Sequence, residues 1–367
     1  MSHAMKLIFF YSLLLLPSLF SWAQSPVVDT VANSFTKNFL FFPVVVKSPE
    51  TKWGAGYATS YFFKTKKHDT LTRTSNVESI GLVTLRKQIV LMLGMNLYSP
   101  SEKYIFRMRN SFSKFPDKFW GLGDRSPKNA MEQYAFSQFF TNPQLLRRVY
   151  SKFYLGAMWE FQVIYNMHYE KNQLFDRTIN TGKEGGVSSG GGVIAAWDTR
   201  NNAFSPDKGE FIQFSILKFA RYSGSQFKFV NTVIDARKYF KVGRKQVLAF
   251  QAFGYFTKGN PPFRYLATFG GSDIMRGYYS GRYRDNNYVA VQAEYRFPII
   301  WRLGMVVFAG VGDVSNKTLV YRFNPLKYSL GTGIRLALKP QEKLNFRIDF
   351  GWGHQSFASY VTITEAF

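Results

Sequence analysis

The sequence predicts an all-β fold, a 16-stranded antiparallel β-barrel that crosses a membrane with its strands. Three observations predict it. First, apolar and polar residues alternate with period two in segments of about ten residues, the length a tilted strand needs to cross a bilayer. From residue 344 onward, Leu344, Phe346, Ile348, Phe350 and Trp352 share one face while Asn345, Arg347, Asp349, Gly351 and Gly353 share the other. Val289, Val291, Ala293, Tyr295 and Phe297 stand likewise against Ala290, Gln292, Glu294 and Arg296. Charged groups turned toward a dry core are costly, and turned toward a wet lumen they are not. Second, after the N-terminal leader no apolar run approaches the roughly 20 residues that a helical span needs. Third, aromatic residues make up 18% of the chain, with 38 Phe and 22 Tyr, an excess that the two interfacial girdles of a membrane barrel absorb.

The elements follow in order. Residues 1–23 read as a secretory signal: Lys6 leads an apolar run from Leu7 to Phe20, and Ser21-Trp22-Ala23 places small residues where a signal peptidase cuts. A short periplasmic segment, 24–37, precedes a barrel spanning 38–367. Strands are expected to begin near residues 38, 54, 75, 88, 103, 132, 152, 190, 209, 226, 244, 286, 301, 328, 343 and 357. With both barrel ends periplasmic, the long segments Lys114 to Met131, Lys171 to Gly186 and Lys258 to Asp285 fall outside the cell. Pro43 lies in the first strand and lacks a backbone donor, so pairing across the seam to the last strand should be weak there. The last strand is expected to run to Phe367, with Phe357, Val361 and Ile363 on the same face.

Composition excludes several function classes. There is no cysteine, hence no disulfide, no thiolate metal site and no lipid anchor on a cysteine. The net charge of +24 falls only to +23 when the leader and its single Lys are removed. Such a field attracts anions, and for an exported chain these are lipopolysaccharide phosphates at the outer-membrane surface and anionic polypeptides rather than nucleic acid. Outside the leader the histidines are His68, His168 and His354, with no Ser/His/Asp spacing around them, and no metal or phosphate-cradling motif occurs. Neither an enzyme nor a cofactor is expected.

Several motifs carry a family resemblance. The run GGSDIMRGYYSGRYRDN at 270–286 and the strand VAVQAEYRFPI after it resemble the sixth external loop and twelfth strand of the BamA/TamA superfamily of outer-membrane assembly and secretion barrels. WDTRNNAFSPDKGEF from Trp197, FAGVGDV from Phe308, and GTGIRLALKP through LNFRIDFGWG at 331–353 match in the same order. PVVVKSPETKWGAG and FPDKFWGLGD resemble short members from the Bacteroidetes group, which carry no periplasmic polypeptide-transport-associated repeats.

The resemblance implies that Arg276, Gly277 and Tyr278 form the tip of a loop folded into the lumen as a latch clamped by wall acids. The family usually has an Asp where this chain has Gly310, so another acid must serve: Glu294 first, then Asp313 and Asp349. A guanidinium suits the role because it pairs bidentately and stays charged when desolvated. Gly331, Gly333, Gly351 and Gly353 face inward by parity and leave a hollow in which a loop could lie. Asp198, Arg200, Pro206 and Gly209 match a family turn and carry the chemistry of a tight turn. The resemblance further implies a lateral gate at the seam of Pro43 and the last strand, a terminal Phe367 of the kind barrel-assembly machinery recognises, and a role in assembly or translocation of unfolded polypeptide clients. A periplasmic or membrane partner protein would then recruit the clients. Two other readings stand beside it: a pore for anionic solutes lined by Arg296, Arg335 and Arg347, and a structural or surface-antigen barrel.

Overall fold

The computed structural model of the protein describes residues 39–367 apart from 67–71, 203, 319 and 341–342. The expected signal, the 24–37 segment and His68 lie outside the described residues. In chain order the strands are β1 (Phe39–Ser48), β2 (Lys52–Phe63), β3 (Ser75–Thr84), β4 (Ile89–Tyr98), β5 (Tyr104–Phe119), β6 (Glu132–Tyr150), β7 (Phe153–Tyr169), β8 (Gly186–Asp198) and β9 (Gly209–Phe219). There follow β10 (Phe229–Lys241), β11 (Val247–Gly259), β12 (Ala267–Phe269), β13 (Tyr283–Asp285), β14 (Asn287–Ile300), β15 (Leu303–Ser315), β16 (Lys327–Lys339), β17 (Leu344–Gly353) and β18 (Ser356–Ile363). All but β12 and β13 close into one antiparallel barrel of 16 strands, in which each strand pairs with its neighbour in sequence and β18 returns to β1. β12 and β13 form a separate small hairpin inside the β11–β14 connection.

The alternation explains the closure. Phe41, Leu91, Leu145, Leu155, Val193, Phe250, Leu330 and Trp352 are exposed on the outer face. An apolar belt of that extent suits lipid and not water. The opposite face carries the groups that reach across the barrel, such as Arg107 on β5, which donates to Gln213 on β9 at 3.3 Å. Two-residue turns at 151–152 and 301–302 place Ser151 and Trp301 at positive φ, as tight hairpins require. Trp301 is 83% exposed, an aromatic anchor at the level of the headgroups.

Every barrel strand begins within four residues of its expected start, and three details differ. The segment from Lys114 is strand up to Phe119, because Phe115, Asp117 and Phe119 keep the alternation going above the bilayer and pair with β6 as far as Glu132. The β11–β14 connection carries its own hairpin. The last strand does not reach Phe367: it stops at Ile363, Thr364 takes φ 74°, and the chain turns inward. Phe367 then packs with Tyr239, Val247 and Ala249, while Glu365 receives bonds from Arg335 (2.7 Å) and Asn345 (2.7 Å).

Candidate functional site at the β14–β18 wall

The site is built on small residues. Gly351 on β17 presents bare backbone: a Cβ added there would stand 2.6 Å from the Gly277 nitrogen and 2.7 Å from the Arg276 carbonyl carbon. A Cβ on Gly353 would fall 2.3 Å from the Tyr278 ring. Gly277, at φ 112°, approaches so closely that its own Cβ would meet the Trp352 backbone at 2.9 Å. Residues 276–278 therefore lie directly against β17, and glycine on both sides is what lets two backbones touch.

Wall side chains satisfy the backbone of this segment. Ser329 donates to the Arg276 carbonyl, and Ser356 donates to the Gly277 carbonyl at 2.6 Å. The Tyr360 hydroxyl accepts from the Gly277 N–H (3.1 Å) and donates to the Tyr278 carbonyl (2.8 Å). The Tyr278 hydroxyl donates to the Tyr328 carbonyl (2.9 Å) and accepts from the His354 N–H (2.7 Å). Its ring stands edge-on to Phe269 of the small hairpin at 5.0 Å. A non-helical, non-sheet backbone can be buried only when its polar groups are paired in this way.

Arg276 is wholly buried. Its Nη2 donates to Glu294 (2.6 Å), its Nη1 donates to Asp349 (2.7 Å), and its guanidinium sits 3.5 Å from the centre of the Phe308 ring. The ion pairs continue along the wall. Arg296 binds Glu294 at 2.7 Å, Arg335 binds Asp349 (2.6 Å) and Glu365 (2.7 Å), and Arg347 binds Asp273 at 2.9 Å. Four guanidinium groups thus face four carboxylates, and the cluster is close to neutral. Arg296 also donates to the Phe367 carbonyl at 2.7 Å.

The remaining residues singled out in the sequence are placed as follows. Asp313 does not meet Arg276; it is paired with Lys327 at 2.6 Å, a nearer cation that is itself fully buried. Asp198, Arg200, Pro206 and Gly209 are gathered at the β8–β9 turn. Asp198 is buried and holds Arg200 (2.9 Å) and also Arg73 from the β2–β3 connection (2.5 Å). Pro206 is buried there, and Gly209 takes φ 104°. Phe204 of the same turn meets Phe62 on β2 at 6.2 Å, and Asp207 is paired with Lys343 in the β16–β17 turn.

At the seam, β1 aligns with β18 at a single position, Lys47 opposite Val361, whereas its other edge aligns with β2 from Phe39 to Ser48. That register would bring Pro43 opposite Glu365, which has already left the wall. The missing donor of Pro43 therefore costs the barrel nothing, since no strand is there to receive it. Above the wall, Glu50 in the β1–β2 turn accepts from the Ser280 N–H, and its burial pushes the carboxyl pKa up. Asp285 at the end of β13 is likewise pushed up by burial, to about 6.

Tyr360, Ser329, Ser356, Asp273 and Glu365 were not foreseen. For the first three the signal was available, since parity along β16 and β18 turns them inward.

A closed antiparallel barrel with a lipid-facing belt and charged groups on its inner face is an outer-membrane protein. The Omp85 superfamily domain matches residues 79–359, so the chain belongs to that superfamily. Among solved structures it is similar to BamA from Haemophilus ducreyi in a form lacking POTRA domains 1-3, at 13% identity and TM-score 0.57, over 89% of this chain and 70% of that one. It is also similar to CdiB from Acinetobacter baumannii (10% identity, TM-score 0.57, 89% of this chain) and to CdiB from Escherichia coli (10%, 0.58, 88%), spanning 60% and 62% of those two chains. No curated protein matches the chain.

Proposed function

We propose that this barrel assembles outer-membrane proteins or translocates polypeptides through its β1–β18 seam. In this reading residues 260–286 lie in the lumen as a latch, and a partner protein delivers the clients. The observation that carries the reading is a contrast: β1 meets β18 at one aligned pair, while in the 276–278 segment beside β17 and β18 all three carbonyls, the Gly277 N–H and the Tyr278 hydroxyl are bonded. A strand edge with so few partners is a ready template for an incoming strand. The seam's neighbour, meanwhile, is held by the Arg276 cluster. The pore reading gains no support from Arg296, Arg335 and Arg347, because each is matched to a carboxylate.

The test compares conductance in planar bilayers for the native barrel, for Arg276→Ala, and for Arg276→Ala with cysteines at Lys47 and Val361 cross-linked. The native barrel should be nearly closed, Arg276→Ala should give large noisy openings, and the cross-link should abolish them. The same steady anion-selective current from all three would make the protein a pore. In liposomes, the native barrel should speed the folding of a client barrel, and the cross-linked form should not.

A further inference from the structure

The opposite side of the lumen holds a different arrangement. A cavity of about 600 Å³ lies against the inner faces of β3, β4, β5 and β9 and the β8–β9 turn. Five cations line it, Lys64, Arg73, Arg107, Arg109 and Arg200, against one carboxylate, Glu78. Arg73 and Arg200 are matched to Asp198, and Arg73 also to Glu102. Among the described residues Lys64, Arg107 and Arg109 have no ion pair: Lys64 donates to the Thr72 carbonyl, and Arg107 meets only the neutral amide of Gln213. Glu78 and Glu160 on β7 act on Arg109 through space without reaching ion-pair distance, and Glu160 accepts from the Asn142 amide at 3.1 Å.

A second cavity of about 290 Å³ adjoins the first, and Glu78, Phe204 and Thr364 line both. Its walls are Phe42 and Val44 on β1, Phe62 on β2, and Ile80 and Leu82 on β3. This breaks the barrel pattern: β1 is apolar outward through Phe39, Phe41 and Val45, and apolar inward as well through Leu40, Phe42, Val44 and Val46. Apolar side chains facing a wet lumen gain nothing from water and call for an apolar occupant. A chamber with unmatched cations at one end and hydrocarbon at the other matches one ligand chemistry.

We infer that these adjoining cavities bind an anionic amphiphile, its acyl chain against Phe42, Val44, Phe62, Ile80 and Leu82 and its carboxylate or phosphate on Lys64, Arg107 and Arg109. Arginine and lysine together hold such a head by charge-assisted hydrogen bonds. The source is either a free fatty acid or a phosphate-bearing lipid fragment, and the two differ in head group alone.

The experiment uses the purified full chain in a neutral maltoside detergent with photoreactive diazirine probes of one chain length, bearing a carboxylate, a phosphate or an uncharged alcohol head. Mass spectrometry maps the labelled residues. The anionic probes should label the inner residues Phe42, Val44, Ile80 or Leu82, and the alcohol should label them about tenfold less, the loss of a charge-assisted hydrogen bond. Whichever anionic head labels more strongly names the source. Arg107→Gln with Arg109→Gln should lower inner labelling about tenfold, and Ala58→Trp, which fills the apolar cavity with the charges intact, should abolish it. Labelling of the outward Phe41 and Val45 reports the detergent belt and folding, and should not change. Inner labelling equal for alcohol and acid, or unaffected by the arginine changes, overturns the proposal, as does labelling confined to outward residues.

Discussion

The two sides of the barrel treat charge in opposite ways. Along β14–β18, four arginines meet four carboxylates, all of them buried except Asp273 at the solvent edge, and the 276–278 segment is pinned against bare glycine backbone. Along β3–β5, Arg107 and Arg109 face an open cavity with no carboxylate at ion-pair distance, Arg107 on the neutral amide of Gln213. The same residue type is structural where it is matched and available where it is not. Breaking a matched pair strands its partner as a buried charge, while removing an unmatched cation relieves repulsion. The teaching is that a basic composition says little about a pore until each cation's partner is known.

The largest effect should come from Arg276→Ala. It takes one cation from each of Glu294 and Asp349, which keep Arg296 and Arg335, and leaves the buried cluster one positive charge short; the loss approaches about 3 kcal/mol, read as a lower midpoint of heat-induced mobility shift or of urea unfolding. A stability within about 0.5 kcal/mol of native would show that the cluster is wetter and weaker than its geometry. Next comes Gly351→Ala, whose Cβ must push Gly277 away; overpacking of this kind costs about 1–3 kcal/mol. The same substitution at the open Gly191 should be nearly silent, since nothing lies within 4 Å of its added Cβ.

A smaller effect follows from Asp285. Its folded-state pKa of about 6 lies above the ordinary carboxyl value, so the folded connection binds a proton that the unfolded chain releases. Stability contributed here is lowest above pH 6 and grows as the pH falls through that value. The protection factors at β12 and β13, with the intrinsic pH dependence of exchange divided out, should rise roughly tenfold between pH 7 and pH 5, a gain of about 1.4 kcal/mol, and Asp285→Asn should remove that rise. On the opposite side, Arg107→Gln should change stability by no more than about 0.5 kcal/mol. In the Arg276→Ala background it should still move the reversal potential toward cation selectivity, which tests the asymmetry at its weakest point.

The barrel was legible because period-two alternation is a direct image of two solvents, lipid outside and water within. Glu294 and Asp349 were legible by parity combined with the resemblance around Arg276. Asp313 was not separable from them, since its preference for Lys327 depends on which cation is nearer in space. The tail was illegible for a related reason. Thr362, Ile363 and Thr364 continue the alternation and Phe367 falls on the parity of Phe357, so the pattern predicts more strand; Glu365 interrupts that apolar face, and the left-handed backbone of Thr364 ends the strand. Glu365 and Phe367 then find partners on β16, β11 and β10, none of them near in sequence. The inward apolar face of β1 was hidden as well, because a run apolar on both faces shows no period at all.

The β8–β9 turn has a mechanical consequence. It springs from the wall across from the seam, yet it grips Arg73 and Phe62 on the β1 side and Lys343 on the β18 side. It is a stay strung between the two leaves of a hinge. In the proposed reading, parting the seam would first slip one of these moorings, and the partly exposed Asp207–Lys343 pair is the weaker of the two. Which leaf keeps the turn would then decide whether β1 or β18 is the strand left standing free.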